Sequence, residues 1–285
     1  MRVLSLCSGY GGLELALSEA LPAQDLDLVA TCDNYGPART VLRSHWPEAT
    51  QFKDVHDPSL DSLEADVVTF GFPCQDLSRA GRGAGLRGSR SGLFFRCAKI
   101  GHLQGAQALV IENVPQALKY RGSIDSELGR YGFSTRWGRA EAWEVGLPHR
   151  RARVFLIATR GDGRSLFEGA QSPALVTERP SDLLPTPTVV DMGWGHSPES
   201  WEEWRDSQRR KHGNGNGHGQ SLYQALGCPE PGEATRAMER MMGLPEGWVT
   251  GRGLKVSAER RLLGNGVAPA QGALGIWRAL NTPIE

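Results

Sequence analysis

Short apolar runs, separated by stretches with helical spacing, constrain this chain more than any other feature. Val3 to Leu6, Leu26 to Thr31, Asp66 to Phe70, Ala108 to Ile111 and Val154 to Ala158 read as strands. Between them, Gly12 to Leu21, Pro37 to His45 and Leu93 to Leu103 carry apolar side chains at helical intervals. Strands that alternate with helices are joined by crossovers, and crossovers place neighbouring strands parallel. The order therefore predicts βαβ units in a doubly wound α/β sheet.

The pattern changes near Gly161. From there to about Trp248 the chain is rich in Pro and Gly, as in Leu184-Pro185-Thr186-Pro187 and the run Gly213 to Gly219. One helix, Pro198 to Arg210, is predicted there, with Ser197 as its cap and Pro198 at its first position. Apolar and small residues return from Leu262 to Leu280, opening with Leu263-Gly264-Asn265-Gly266 and continuing as a helix. The expected division is a main domain, 1–160, completed by 256–285, and a small loop-rich domain, 161–255. A length of 285 residues fits two domains at about 150 residues each.

Composition excludes several classes. No apolar run approaches the roughly 18 residues of a membrane span, and the N-terminus makes a poor signal peptide because Ser8, glycines and Glu14 interrupt it. Cys7, Cys32, Cys74, Cys97 and Cys228 are an odd, scattered set with no Cys-x-x-Cys pair. That argues against a disulfide framework or a zinc cluster and for a reducing, cytoplasmic setting. Net charge is zero, so composition alone does not announce a nucleic-acid partner. Basic residues nevertheless cluster at Arg79 to Lys99, Arg150 to Arg164 and Arg205 to Lys211.

Four motifs carry chemistry. Leu6-Cys7-Ser8-Gly9-Tyr10-Gly11-Gly12-Leu13 is a strand, glycine turn and helix start, where a ligand can approach bare backbone, and Asp33 ends the second strand, where an acid binds ribose hydroxyls. Gly71-Phe72-Pro73-Cys74-Gln75 puts a cysteine at the carboxyl edge of the sheet, where it is either a nucleophile or a buried structural thiol. Glu112-Asn113-Val114-Pro115 ends the next strand, and parallel pairing brings Glu112 toward Cys74. Gly146 to Phe155 carries Arg151 and Arg153 on one face of a strand, which taken alone reads as a basic sheet edge open to solvent.

In this order the motifs resemble the DNA cytosine-5 methyltransferase family. The matching residues are Ser8-Gly9-x-Gly11-Gly12-Leu13, Pro73-Cys74-Gln75, Glu112-Asn113-Val114, Arg151-x-Arg153 and Gly264-Asn265-Gly266-Val267. The segment Arg90-Ser91-Gly92-Leu93-Phe94-Phe95 is similar as well. Three departures stand out: His149 where Gln is usual, Asp33 for the commoner Glu, and Ser89 where an acid is frequent.

The resemblance implies a Rossmann-like methyltransferase sheet and S-adenosylmethionine as cofactor, with S-adenosylhomocysteine as product. It implies cofactor contacts from Ser8, Gly9, Gly11, Gly12, Leu13, Asp33, Asn34, Asp54, Pro73, Leu93, Asn265 and Val267. It makes Cys74 the nucleophile at cytosine C6, Glu112 the partner of N3 and the amine, and Arg153 and Arg151 the supports of O2 and of the nucleophile. Cytosine C5 is a poor nucleophile until a thiolate adds at C6, which is why the chemistry needs a cysteine.

The implied partner is double-stranded DNA with a flipped-out base. Its expected contacts are Gln75, Ser78, Arg79, Arg82, Arg87 and Arg90 in a basic closing loop. Arg205, Arg209, Arg210 and Lys211 are the expected contacts in the small, target-reading domain. A monomer is expected, and a cognate restriction endonuclease acting separately is a possible partner. Two alternatives stay open: a tRNA cytosine-5 methyltransferase, since the family includes such a branch, and a non-catalytic DNA-binding regulator, which would have lost Cys74 or Glu112.

Overall fold

The computed structural model describes residues 1–72, 92–191, 193–212 and 221–284. Pro73, Cys74, Gln75, Ser78, Arg79, Arg82, Arg87 and Arg90 lie outside the described residues, as does the glycine run 213–219.

The described strands form one seven-stranded sheet. They are β1 (Arg2–Leu6), β2 (Asp27–Cys32), β3 (Thr50–Phe52), β4 (Val67–Gly71), β5 (Ala108–Asn113), β6 (Ser134–Glu141) and β7 (Ala152–Thr159), in the spatial order β3-β2-β1-β4-β5-β7-β6. The first five run parallel. β7 runs antiparallel to both β5 and β6. The doubly wound sheet of parallel βαβ units is thus present, with an antiparallel pair added at one edge. The short connection from β6 to β7 permits an antiparallel pair, whereas a parallel one needs a long crossover.

Helices cover both faces. α1 (Gly12–Ala20) and α9 (Pro269–Asn281) pack on one, where Val3, Val67, Val110, Phe155 and Ile157 meet Leu17, Leu274 and Ile276. α3 (Gly92–Leu103) and α4 (Arg121–Arg130) pack on the other, where Leu4, Leu6, Val68, Phe70, Leu109 and Ile111 meet Phe94, Ile100, Ile124 and Leu128. Alternate residues of each inner strand go to opposite cores, which is why these strands read as unbroken apolar runs.

α2 (Gly36–His45) and α5 (Pro198–His212) fall where the sequence predicts helices, and Ser197 Oγ accepts from the Ser200 amide at 3.2 Å. α6 (Leu222–Ala225), α7 (Pro231–Met241) and α8 (Val256–Asn265) were not expected as helices. Leu263, Gly264 and Asn265 end α8 instead of opening a turn ahead of a helix. A third core joins Tyr10 and Val41 to Met238, Met242, Val249, Leu262 and Leu263. Residues of the expected small domain therefore share a core with both ends of the main one. The knot of this core is Glu239. Its buried carboxylate accepts from the amides of Gly247, Val249 and Thr250 and from the Thr250 hydroxyl at 2.6 to 2.9 Å.

Candidate active site at the carboxyl edge of the sheet

The carboxyl ends of β1, β2, β4 and β5 open onto a cavity of about 710 Å³. Its size lies within the range typical of small-molecule sites.

The turn after β1 forms one wall. Gly11, at φ +81°, precedes α1 and backs onto Trp46, so a side chain there would be strained and would collide with the indole. Ser8 ties the turn down. Its hydroxyl lies 3.1 Å from the Ser5 carbonyl and 3.3 Å from that of Cys32. Gly9 donates its amide to Asp33 Oδ2 at 2.9 Å, and Tyr35 donates to Oδ1 at 2.8 Å. Burial raises the Asp33 carboxyl above its ordinary range, against those two bonds and the fields of Arg39 and Arg261.

The tail closes this wall. Tyr10 donates to the Val267 carbonyl at 2.6 Å, and its ring occupies the space that a Cβ on Gly266 would fill. Arg151, 1% exposed, donates to the carbonyls of Gly264 and Gly266. The basic strand edge expected to meet solvent is instead an internal strut between β7 and the end of α8. The cost of burying the charged guanidinium is offset because the Gly264 and Gly266 carbonyls receive its N–H groups.

The opposite wall holds the reactive candidates. Gly71 pairs with Glu112 across β4 and β5. The Glu112 carboxylate meets Arg153 Nε at 2.7 Å, with both side chains largely buried. Asn113 donates to the Phe72 carbonyl at 3.0 Å and accepts from the Val114 amide at 2.8 Å. It thereby pins the last described residue before Pro73 and Cys74. Burial pushes the Cys32 thiol up to about 12, and Cys97, hydrogen-bonded with Cys7, lies well above the thiol range. Neither Cys32 nor Cys97 is a thiolate at neutral pH.

Of the expected cofactor contacts, Ser8, Gly9, Gly12, Leu13, Asp33, Asn34, Asp54, Leu93, Asn265 and Val267 line the cavity together with Glu112 and Arg153. Gly11 and Arg151 do not line it and support the residues that do. Sequence reasoning missed Glu14 and Arg261, which also line it. Glu14 is a buried carboxyl on α1 that accepts from the Thr69 hydroxyl, and burial raises it above the ordinary range. Its helical position between apolar neighbours gave no separate signal.

The expected target-reading residues lie elsewhere, on α5. Arg205 pairs with Glu202 at 2.8 Å and Arg209 with Asp206 at 3.0 Å. Arg210 and Lys211 are exposed and have no ion pair among the described residues. Arg205 also lines a second concavity of about 500 Å³ with Trp201, Gln224 and Cys228.

The model of the C-5 cytosine-specific DNA methylase family matches residues 1–225. The chain belongs to that family. Its enzyme class is accordingly DNA (cytosine-5-)-methyltransferase. Among relatives, it is 32% identical to the Type II methyltransferase M2.BsuMI of Bacillus subtilis, over 94% of this chain and 72% of that protein. It is 28% identical to M.DsaV of Dactylococcopsis salina over 59% of this chain and 50% of that one. The chain spans about half the length of several such relatives. Solved structures share the fold at low identity. A DNMT2 mutant of Spodoptera frugiperda superposes with a TM-score of 0.63 at 17% identity, covering 98% of this chain and 99% of that one. S. pombe Dnmt2 gives 0.60 at 17%, with 98% of each chain covered.

Proposed function

We propose that this methyltransferase acts on cytosine in double-stranded DNA, with S-adenosylmethionine in the cavity and Cys74 as the covalent nucleophile. The observation that carries the reading is the Glu112–Arg153 pair at 2.7 Å beside an Asn113 that anchors Phe72. A carboxylate and a guanidinium side by side, on a wall where Asn113 holds Phe72 two positions before Cys74 in the chain, match the N3, amine and O2 edge of a cytosine.

The residues present fit the cofactor. Gly9 leaves open space where a Cβ would stand, next to the Asp33 carboxylate. Asp33 and Asn34 would hold the nucleoside, Asp54 the adenine amine, and Asn265 and Leu93 the amino-acid part. Gly11 and Pro73 complete the set as support and wall. Bound S-adenosylmethionine supplies the electrophilic methyl group. Cys74 thiolate forms a bond to C6, and the displaced ring electrons make C5 nucleophilic. Arg153 accompanies O2. Glu112, an acceptor from Arg153 in this state, turns to N3 and the amine as charge develops there. After C5 has gained its methyl, its proton leaves to water or hydroxide and the C6–sulfur bond breaks, returning the thiolate. A base inside a duplex cannot be reached in this way, so the cytosine is flipped, at a cost of a few kcal/mol.

We assign 1–160 with 256–285 to catalysis and 161–255 to target reading, with Gln75, Ser78, Arg79, Arg82, Arg87 and Arg90 closing over the base. A monomer working in the cytoplasm, with any endonuclease as a separate protein, fits this scheme. The test is trapping on 5-fluorocytosine, whose fluorine blocks the last elimination. Duplex DNA carrying it should give a covalent adduct with the unaltered chain and none with Cys74→Ala. A parallel transfer assay on tRNA distinguishes the RNA activity. An adduct on Cys74→Ala, or transfer to tRNA alone, overturns the proposal.

A further inference from the structure

One end of the cavity carries a pair that neither the family match nor the sequence motifs assign. Arg261, on α8, places its guanidinium carbon 4.2 Å from the centroid of the Tyr35 ring. Both residues line the cavity. Tyr35 follows Asp33 and Asn34 directly, and its own amide holds Asp33 Oδ1 at 2.8 Å. Its position is therefore locked to the carboxylate expected to take the ribose. Arg261 lies one helical turn before Asn265, and its field acts on Asp33. The pair thus bridges α2 and α8 beside the nucleoside end of the cavity.

Ring chemistry narrows what this pair can do. Among the described lining residues, the other aromatic rings are Phe70 and Phe72, at the β4 side next to Glu112. At the Asp33 side, Tyr35 is the aromatic ring available, and part of it packs into the third core. Arg261 covers it and is itself exposed. A guanidinium is planar and weakly hydrated, so it can rest on a ring with one face and receive a flat heterocycle on the other. An ammonium offers no such plane.

We propose that Arg261, seated on Tyr35, is a cofactor-positioning residue that stacks on the purine base of the bound nucleoside. This deepens the cofactor reading above and rests on it. The pair forms a clasp. Tyr35 sets the height of the guanidinium above the ribose-binding carboxylate. Arg261 ties the base to the same helix that ends in Asn265, so both ends of one ligand are gripped from α8.

The test is calorimetric titration with two probes, S-adenosylhomocysteine and S-ribosylhomocysteine, which lacks the base. Arg261→Ala and Tyr35→Ala should each weaken S-adenosylhomocysteine at least about fivefold, within the range of a stacking contact. S-ribosylhomocysteine affinity should change less than twofold. Tyr35→Phe, which keeps the ring, should bind S-adenosylhomocysteine nearly as the unaltered chain does, and Arg261→Lys should lose most of what Arg261→Ala loses. In turnover, the Arg261→Ala loss should appear in KM for S-adenosylmethionine more than in kcat. Equal losses for both probes would mean a structural role and overturn the clasp, as would unchanged S-adenosylhomocysteine binding in both alanine variants. If the unaltered chain binds no S-adenosylhomocysteine, the cofactor reading falls, and the clasp with it.

Discussion

Arg153 and Arg209 each lie within 3.0 Å of a carboxylate, yet the two pairs are built differently. Glu112–Arg153 joins two strands and is largely buried at the cavity wall. Asp206–Arg209 joins neighbours on one helix, and both side chains are about half exposed. A buried pair that loses one partner strands the other, at a cost of several kcal/mol, whereas an exposed pair on one helix contributes about 0.3–0.5 kcal/mol. The first therefore gives up its partner only where another group takes that partner's place. The second can open and exchange its acid for another anion, as the target-reading role proposed for α5 requires.

The comparison breaks if the buried pair proves dispensable. Glu112→Gln keeps the size but cannot take up or deliver a proton. Turnover should fall by roughly the 10²–10⁴ of a lost general acid, with S-adenosylhomocysteine binding nearly unchanged. Methyl transfer under saturating cofactor is the measurement, and near-normal turnover would assign ring stabilisation to another group.

Arg151 tests the supporting layer. Arg151→Met removes the charge and the bonds to Gly264 and Gly266 but keeps most of the volume. Hydrogen bonds to a charged group contribute about 1.5–3 kcal/mol each, so cofactor affinity should fall more than tenfold. Asn265 would no longer be held against the glycine turn. Calorimetry with S-adenosylhomocysteine reads this directly, and unchanged affinity would show that Tyr10 holds the tail without help.

His149 sharpens the buried side of the comparison. It is fully buried, its Nε2 lies 3.0 Å from the Met241 carbonyl, and burial together with Arg151 lowers it from 6.5 to about 4. Because the folded value lies below the unfolded one, the unfolded chain binds the extra proton between these limits. Stability from this group is thus full above about pH 6.5 and is lost as pH falls toward 4. The loss is on the order of 3 kcal/mol, since each tenfold change in proton affinity corresponds to about 1.4 kcal/mol. His149→Gln, whose amide can also donate to Met241, should flatten the fall in urea-unfolding free energy between pH 6.5 and 4. An equal slope in both proteins would place the pH dependence elsewhere.

What the sequence made legible follows from distance along the chain. β1, β2, β4 and β5 are buried on both faces, so their composition alone marks them. β6 was missed because it is an edge strand: Arg136 and Arg139 interrupt it, and Trp137, Gly138 and Ala140 are its buried residues. α7 was missed although Ala234, Met238 and Met241 form a buried stripe, because Pro231 and Gly232 open it and read as a loop. The motifs of the candidate site were legible because the chemistry proposed for them fixes their residue types. Their supports were not. Tyr10 meets Val267, Arg151 meets Gly264 and Arg261 meets Tyr35 only after the tail has folded back. No local pattern encodes such pairings.

The smallest effects are expected on α5, and they decide whether its exposed pairs read DNA. Arg210 and Lys211 carry no ion pair among the described residues, while Arg205 and Arg209 must first leave Glu202 and Asp206. Leaving an exposed partner costs at most about 1 kcal/mol, so all four remain available to phosphate or base edges. Alanine at a base-reading Arg should cost roughly 1–3 kcal/mol at the preferred site and relax one position. Alanine at a phosphate contact should weaken all sites alike and lower the salt slope by about one. We expect Arg210→Ala and Lys211→Ala to show one of these signatures more strongly than Arg209→Ala, whose effect on folding stability should stay under about 0.5 kcal/mol. Methylation profiling on a random duplex library, repeated at two salt concentrations, separates the cases. If all four single variants keep the original site preference and the original salt dependence, α5 faces solvent and target reading lies in another part of 161–255.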